Sequence, residues 1–186
     1  MQTLLNRATE EVAAILPVIA ELAPKLQKLG ETMMDVWARR GKLLICGNGG
    51  SSCDAMHLSE ELVARFQKNR RGLASIALCD PGVITCAGND FGYESIFSRQ
   101  VQALGNEGDL LIVFTTSGNS PNILRAIAQA EIQGMRTAAF LGKDGGRAKG
   151  LCDVELIVPA TTSHRIQEAH QILYHTLCEW IDQRVD

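Results

Sequence analysis

The sequence predicts an α/β fold, a five-stranded parallel sheet in the flavodoxin-like order 2-1-3-4-5, flanked by helices and preceded by a helical extension. Two observations lead there. Short apolar runs, LLICG from Leu43, ASIAL from Ala74, DLLIVFT from Asp109, TAAFL from Thr137 and VELIV from Val154, alternate with segments of helical periodicity, the pattern of strands joined by right-handed helical crossovers. Loops rich in glycine, serine and threonine follow the first and third runs, where a sheet of this order binds its ligands. A length of 186 residues suits one domain, with residues 1–40 as amino-terminal helices and 41–186 as the α/β core.

Taken in order, residues from about Leu4 to Leu22 and from about Leu26 to Trp37 have helical spacing, interrupted by Pro17 and Pro24. Pro24 separates two helices. Their apolar faces (Val12, Leu16, Ile19; Leu29, Met33, Trp37) precede the first strand and have no sheet position of their own. They must pack on the domain or on another copy, and an oligomer interface is the preferred reading. The stretch from Leu43 to Leu62, LLICGNGGSSCDAMHLSEEL, reads as a buried strand, a tight loop and a helix. Its glycines let the backbone come close to a ligand, and Ser51 and Ser52 offer hydroxyls beside the unpaired N–H groups of a helix start, a seat suited to phosphate. His57 and Glu61, four residues apart, share a helical face.

Asp80-Pro81-Gly82 is a turn signal after the second strand. Val83 to Ala87 then leads into Gly88, Asn89, Asp90 and Gly92, which read as a polar loop before a helix ending near Gly105. The third strand runs into TTSGNS, residues 115–120, with four hydroxyls in six residues at a strand-to-helix turn. This is the chemistry for wrapping phosphate oxygens with neutral donors, although Ser and Thr also serve as helix caps. The next helix carries Ile123, Ile127 and Ala130 on one face. GKDGG follows strand four, and the last helix spans about Ser163 to Val185.

Charge and composition exclude several classes. A net charge of −3 gives no general attraction to nucleic acid. The amino terminus has acidic residues within its apolar pattern, unlike a leader or a membrane span. The glycine loop lacks the Gly-Lys-Ser of a nucleotide P-loop and the Gly-x-Gly-x-x-Gly of a dinucleotide site. Six cysteines without a C-x-x-C pair, most of them in apolar segments, read as reduced, buried thiols in a cytoplasmic protein. On the last helix His175 follows Gln167 by eight residues, nearly the same face but about 12 Å along the axis. Long side chains still let these two converge with His57 and Glu61 on one divalent ion such as zinc. His170 points elsewhere and reads as structural. Helical histidines also solvate or cap, so spacing alone leaves the metal reading open.

CGNGGSSCDAMHLSEEL, GNDFG, TTSGNS, GKDGG and RIQEAHQILYH, in this order, resemble the bacterial phosphoheptose isomerases of the sugar isomerase (SIS) family over nearly the whole chain. The resemblance implies a single SIS domain and conversion of D-sedoheptulose 7-phosphate to D-glycero-D-manno-heptose 7-phosphate through a cis-enediol, the entry to heptose for lipopolysaccharide or other surface glycans. It also implies a cytoplasmic homotetramer with sites at subunit interfaces and one zinc per subunit. By motif, Asn48, Gly49, Gly50, Asn89 and Asp90 line the substrate, and Thr115, Thr116, Ser117 and Ser120 hold its phosphate. His57, Glu61, Gln167 and His175 take the metal positions, with Gln167 and Glu61 also against substrate and Glu61 and His175 as acid/base pair. Thr115 stands where a serine is common, and His164 where many members have an acidic residue. A non-catalytic SIS factor that binds the replication initiator is the alternative; it needs the fold but not the pair Glu61 and His175. A sugar-phosphate etherase or regulatory sensor would share the phosphate loops.

Overall fold

The computed structural model describes all 186 residues. Helices α1 (Gln2–Ala20) and α2 (Ala23–Ala38) lead into β1 (Leu43–Gly47), α3 (Gly50–Val63), β2 (Ser75–Ala77), α4 (Pro81–Phe91), α5 (Ile96–Leu104), β3 (Leu110–Thr115), α6 (Pro121–Ile132), β4 (Arg136–Gly142), β5 (Val154–Val158) and α7 (Ser163–Asp182), with short 3₁₀ turns at Tyr93–Ser95 and Gly146–Ala148. All strand pairs are parallel and the order is β2-β1-β3-β4-β5, as expected.

Every residue of β1 and β3 is buried, because each strand feeds two apolar layers with alternate side chains. Leu43, Ile45, Leu110, Ile112 and Phe114 face one layer, shared with α2, α3 and α7. Leu44, Cys46, Leu111 and Val113 face the other, against α5 and α6. Leu29, Met33 and Trp37 of α2 belong to the first layer, so α2 packs on its own domain. On α1 only Ile19 is buried, while Leu16 stays exposed.

Several element ends follow from local chemistry. Pro24 sits in the first turn of α2, where the missing N–H is no loss. Asp80 accepts the Val83 N–H at 2.8 Å and Pro81 follows, a strong helix start. That start corrects the reading of Gly88, Asn89 and Asp90 as loop: the helix nucleated at Asp80 runs through them and stops only at Gly92, whose φ is +85°. The last helix ends at Asp182, short of Val185. All six thiols are free, but only Cys46 and Cys178 are buried; Cys53 and Cys86 are exposed, since on α3 and α4 they fall on the faces turned from the sheet. No helix is long and apolar enough to cross a membrane.

Candidate active site

Two separate groups of side chains carry the chemistry, and the first lies at the carboxyl end of the sheet. The first is a cavity of about 210 Å³ lined by Asn48, Ser51, Phe114, Thr115, Thr116, Ser117, Ser120, Ser163 and Gln167. Its hydroxyls have different duties. Thr115 Oγ1 accepts the Gly118 N–H and Ser117 Oγ accepts the Asn119 N–H, so both brace the turn. Thr116 Oγ1 meets Ser163 Oγ at 3.0 Å. Ser120 starts α6 without using its side chain as a cap, which leaves that hydroxyl for a ligand. Ser163, 43 positions after Ser120 in the sequence, was not foreseen, because its loop carries no glycine signal. Ser52, by contrast, pairs with Cys79 Sγ at 3.2 Å.

The second group lies on α3 and α7. His57, Glu61 and His175 each present a ligand atom, and these atoms lie within 4.8 Å of one another. Helical spacing brings the first two together, with His57 Nε2 3.3 Å from Glu61 Oε1. His175 arrives from α7, its ring edge-on to His57 with centroids 5.0 Å apart and in contact with Tyr174 and Phe66. Burial first, then the His57 charge, lowers the His175 pKa, against the attraction of Glu61. Its Nε2 is buried without a hydrogen-bond partner. A neutral imidazole with a bare nitrogen beside a carboxylate and a second imidazole is a donor set that fits zinc.

The Gln167 carboxamide belongs to the first group: it lines the hydroxyl cavity, and a Cβ on Gly50 would strike it, so glycine permits that approach at the start of α3. His57 lies two turns farther along the helix, about 10 Å away. Asn89 and Asp90, expected against substrate, are exposed on the last turn of α4, where Asn89 Nδ2 donates to Asp90 Oδ1 at 2.7 Å. They line neither the hydroxyl cavity nor the neighbouring cleft of about 400 Å³ bounded by Asn48, Tyr93, Glu94, Ser120, Pro121, Asn122 and Arg125. His170 is fully buried, its Nε2 at 3.0 Å from the Leu141 carbonyl, as a structural residue should be.

Supporting contacts came from far along the chain. Tyr174 OH meets His57 Nδ1 at 2.9 Å, and so holds the imidazole by the nitrogen that Glu61 does not use. Arg70 donates to the Glu61 and Leu62 carbonyls at the end of α3 and to Asp182 of α7 at 2.7 Å. The two helices that carry the ionisable cluster are thereby clamped.

Residues 9–142 match the SIS domain family. The chain is 49% identical over 157 residues to a phosphoheptose isomerase from Fusobacterium nucleatum, covering 84% of this chain and 81% of the relative. It is 45% identical over 183 residues to a phosphoheptose isomerase from Vibrio parahaemolyticus, covering 98% and 95%. The solved structure of a phosphoheptose isomerase from Neisseria gonorrhoeae superposes with a TM-score of 0.93 at 36% identity, over 98% of each chain.

Proposed function

This chain belongs to the SIS-domain family and, within it, to the phosphoheptose isomerases, and from that premise we propose its reaction and the residues that perform it. It is an aldose–ketose isomerase that converts D-sedoheptulose 7-phosphate to D-glycero-D-manno-heptose 7-phosphate, supplying heptose for surface glycan. The observation that carries this reading is the presence on one chain of both a hydroxyl-lined cavity and the cluster of His57, Glu61 and His175.

In the proposed site Thr115, Thr116, Ser117 and Ser120 receive the phosphate, with Asn48, Gly49, Gly50 and Gln167 along the sugar. A proton must leave the carbon beside the carbonyl and return to its neighbour through a cis-enediol. The Glu61 carboxylate shuttles it, and neutral His175 moves a proton between the two oxygens or opens the ring. His57, Glu61, Gln167 and His175 would hold zinc, which when bound supplies polarisation of the carbonyl. Glu61 would be a weaker base whenever it was also a ligand. Asn89 and Asp90 reach substrate only if it belongs to a neighbouring copy, in keeping with a homotetramer that has its sites at subunit interfaces. We assign residues 1–186 to one domain and the protein to the cytoplasm, a reading supported by six free thiols.

A factor that only binds a protein partner has no use for three converging ionisable groups, and this favours the enzyme. The test is incubation of the purified protein with D-sedoheptulose 7-phosphate, followed by NMR. Aldose product is expected, together with exchange of the hydrogen beside the carbonyl for solvent deuterium. Glu61→Gln preserves shape but removes the base, so it should bind substrate and lose both signals. Normal exchange in that variant would remove Glu61 from the role of base.

A further inference from the structure

Asn48 opens the first glycine-rich turn, directly after β1, and borders both the hydroxyl cavity and the larger cleft. Its carboxamide faces that of Asn122, the second residue of α6, in a reciprocal pair: Asn48 Nδ2 donates to Asn122 Oδ1 at 2.9 Å and Asn122 Nδ2 donates to Asn48 Oδ1 at 2.8 Å. The two residues are 74 positions apart, and Asn122 is buried. We propose that Asn122 is a positioning residue that fixes the orientation of Asn48, so that Asn48 offers the sugar phosphate a hydrogen-bond donor and no acceptor. The proposal rests on the reading that Asn48 touches the substrate.

The orientation follows from one backbone group. The Ile123 N–H can only donate, and it is shared between the Ser120 carbonyl at 3.1 Å and Asn122 Oδ1 at 3.0 Å, so a carboxamide nitrogen in place of that oxygen would face an N–H. That contact distinguishes the oxygen of Asn122 from its nitrogen, which the shape of a carboxamide does not. With Asn122 oriented, the reciprocal pair allows only one orientation of Asn48, because the opposite one would set oxygen against oxygen and N–H against N–H. Tyr93 adds to this, its hydroxyl donating to Asn48 Oδ1 at 3.1 Å. A carboxamide has two acceptor lone pairs and two N–H bonds. At Asn48 both lone pairs are engaged, by Asn122 and Tyr93, and one N–H is engaged by Asn122. What remains is a single N–H, suited to a hydroxyl, carbonyl or phosphoryl oxygen of the ligand. The same pair ties the β1 loop to the start of α6, so two hydrogen bonds hold together the two loops proposed to receive the sugar phosphate.

The experiment compares kcat, KM and melting temperature for Asn48→Ala, Asn48→Asp, Asn122→Ala, Asn122→Asp and the double variant Asn48→Ala/Asn122→Ala, with D-sedoheptulose 7-phosphate as substrate. Asn48→Ala should lower kcat/KM about tenfold, in the range of one lost hydrogen bond. Asn48→Asp, which replaces the donor with an acceptor, should lose at least as much. Asn122→Ala should lose about fivefold in a wild-type background and nothing further once Asn48 is Ala. Should Asn122→Ala fail to fold, Asn122→Asp serves in its place. It keeps the volume and the acceptor for the Ile123 N–H but leaves Asn48 without a fixed orientation, and its loss should likewise vanish beside Asn48→Ala. Equal losses from the Asn122 change in both backgrounds would overturn the positioning role while leaving Asn48 against substrate. Wild-type kinetics in Asn48→Asp would overturn the donor assignment. An unaffected Asn48→Ala would remove Asn48 from the site, and the proposal with it.

Discussion

His170 and Asp54 are buried ionisable residues whose titrations oppose one another. Burial pushes the His170 imidazole down to about 4, against the pull of the Leu141 carbonyl. Between pH 4 and the usual histidine value of about 6.5 the unfolded chain therefore binds a proton that the folded one refuses, and this contribution to stability is lost as the pH falls through that window. Asp54 behaves in the opposite sense. Burial raises its carboxyl to about 6, with the His57 charge pulling it down, so the folded chain holds a proton that the unfolded chain has released above about 3.8, and acidification through that interval favours folding. Each shift spans roughly two units, on the order of 3 kcal/mol, and the two nearly cancel. In urea denaturation of the wild-type protein these two contributions should offset between pH 4 and 6, leaving the loss on acidification that the lowered His175 pKa adds. Asp54→Asn removes one side of the balance, and its stability should drop by about 2 to 3 kcal/mol over the same interval. A flat profile in that variant would mean that neither His170 nor His175 is held below its ordinary value.

At the scale of elements the site depends on how α3 meets α7, and Arg70 decides that contact. Its guanidinium is buried, donates to the Leu62 and Glu61 carbonyls that end α3, and pairs with Asp182 near the end of α7. Asp182 also accepts the Gln67 and Lys68 N–H groups. Although burial alone would raise the Asp182 carboxyl, these hydrogen bonds and the Arg70 charge outweigh it and hold the pKa below the ordinary value. Arg70→Ala removes the charged partner of Asp182 and a donor from the Glu61 and Leu62 carbonyls, and should cost about 3 to 5 kcal/mol in urea denaturation; a cost under about 1 kcal/mol would mean that water replaces the clamp. This contact also marks where sequence reading ran out. The strands were legible because a parallel strand covered on both faces is an uninterrupted apolar run, as LLIVFT is. His57 and Glu61 were legible because helical spacing is local. The helix through Gly88, Asn89 and Asp90 was misread because turn-forming residue types outweighed the Asp80-Pro81 start upstream. Pairs such as Arg70 with Asp182, Tyr174 with His57 and Asn122 with Asn48 join residues 112, 117 and 74 positions apart, and no periodicity within an element announces them.

For the whole molecule the open account is the amino-terminal pair of helices. Helix α2 spends its apolar face on the sheet, so the expectation that both helices serve assembly now falls on α1 and its neighbours. Helix α1 is tied to α7 by Glu11, which receives Arg165 Nε at 2.8 Å, yet Leu4, Leu5 and Leu16 remain exposed. Between α1, α2 and α7 lies an almost wholly apolar groove of about 250 Å³, lined by Leu16, Ile19, Ala20, Ala23, Leu26, Ile172, Leu173 and Thr176. A continuous apolar surface of this kind on the layer that carries His175 is what a second copy would cover, and closed symmetry then makes the contact self-complementary. Light scattering at micromolar concentration should give four times the 20.2 kDa chain. Leu16→Lys together with Ile172→Lys places charges in the groove without touching the sheet, and should yield a smaller species. That species should melt at a lower temperature than the wild-type assembly, because association stabilises by mass action. If catalytic sites are completed by a neighbouring copy, its kcat/KM should fall in step with its mass. A folded monomer with full activity would show that each chain carries its whole site, and Asn89 and Asp90 would then have no substrate to reach.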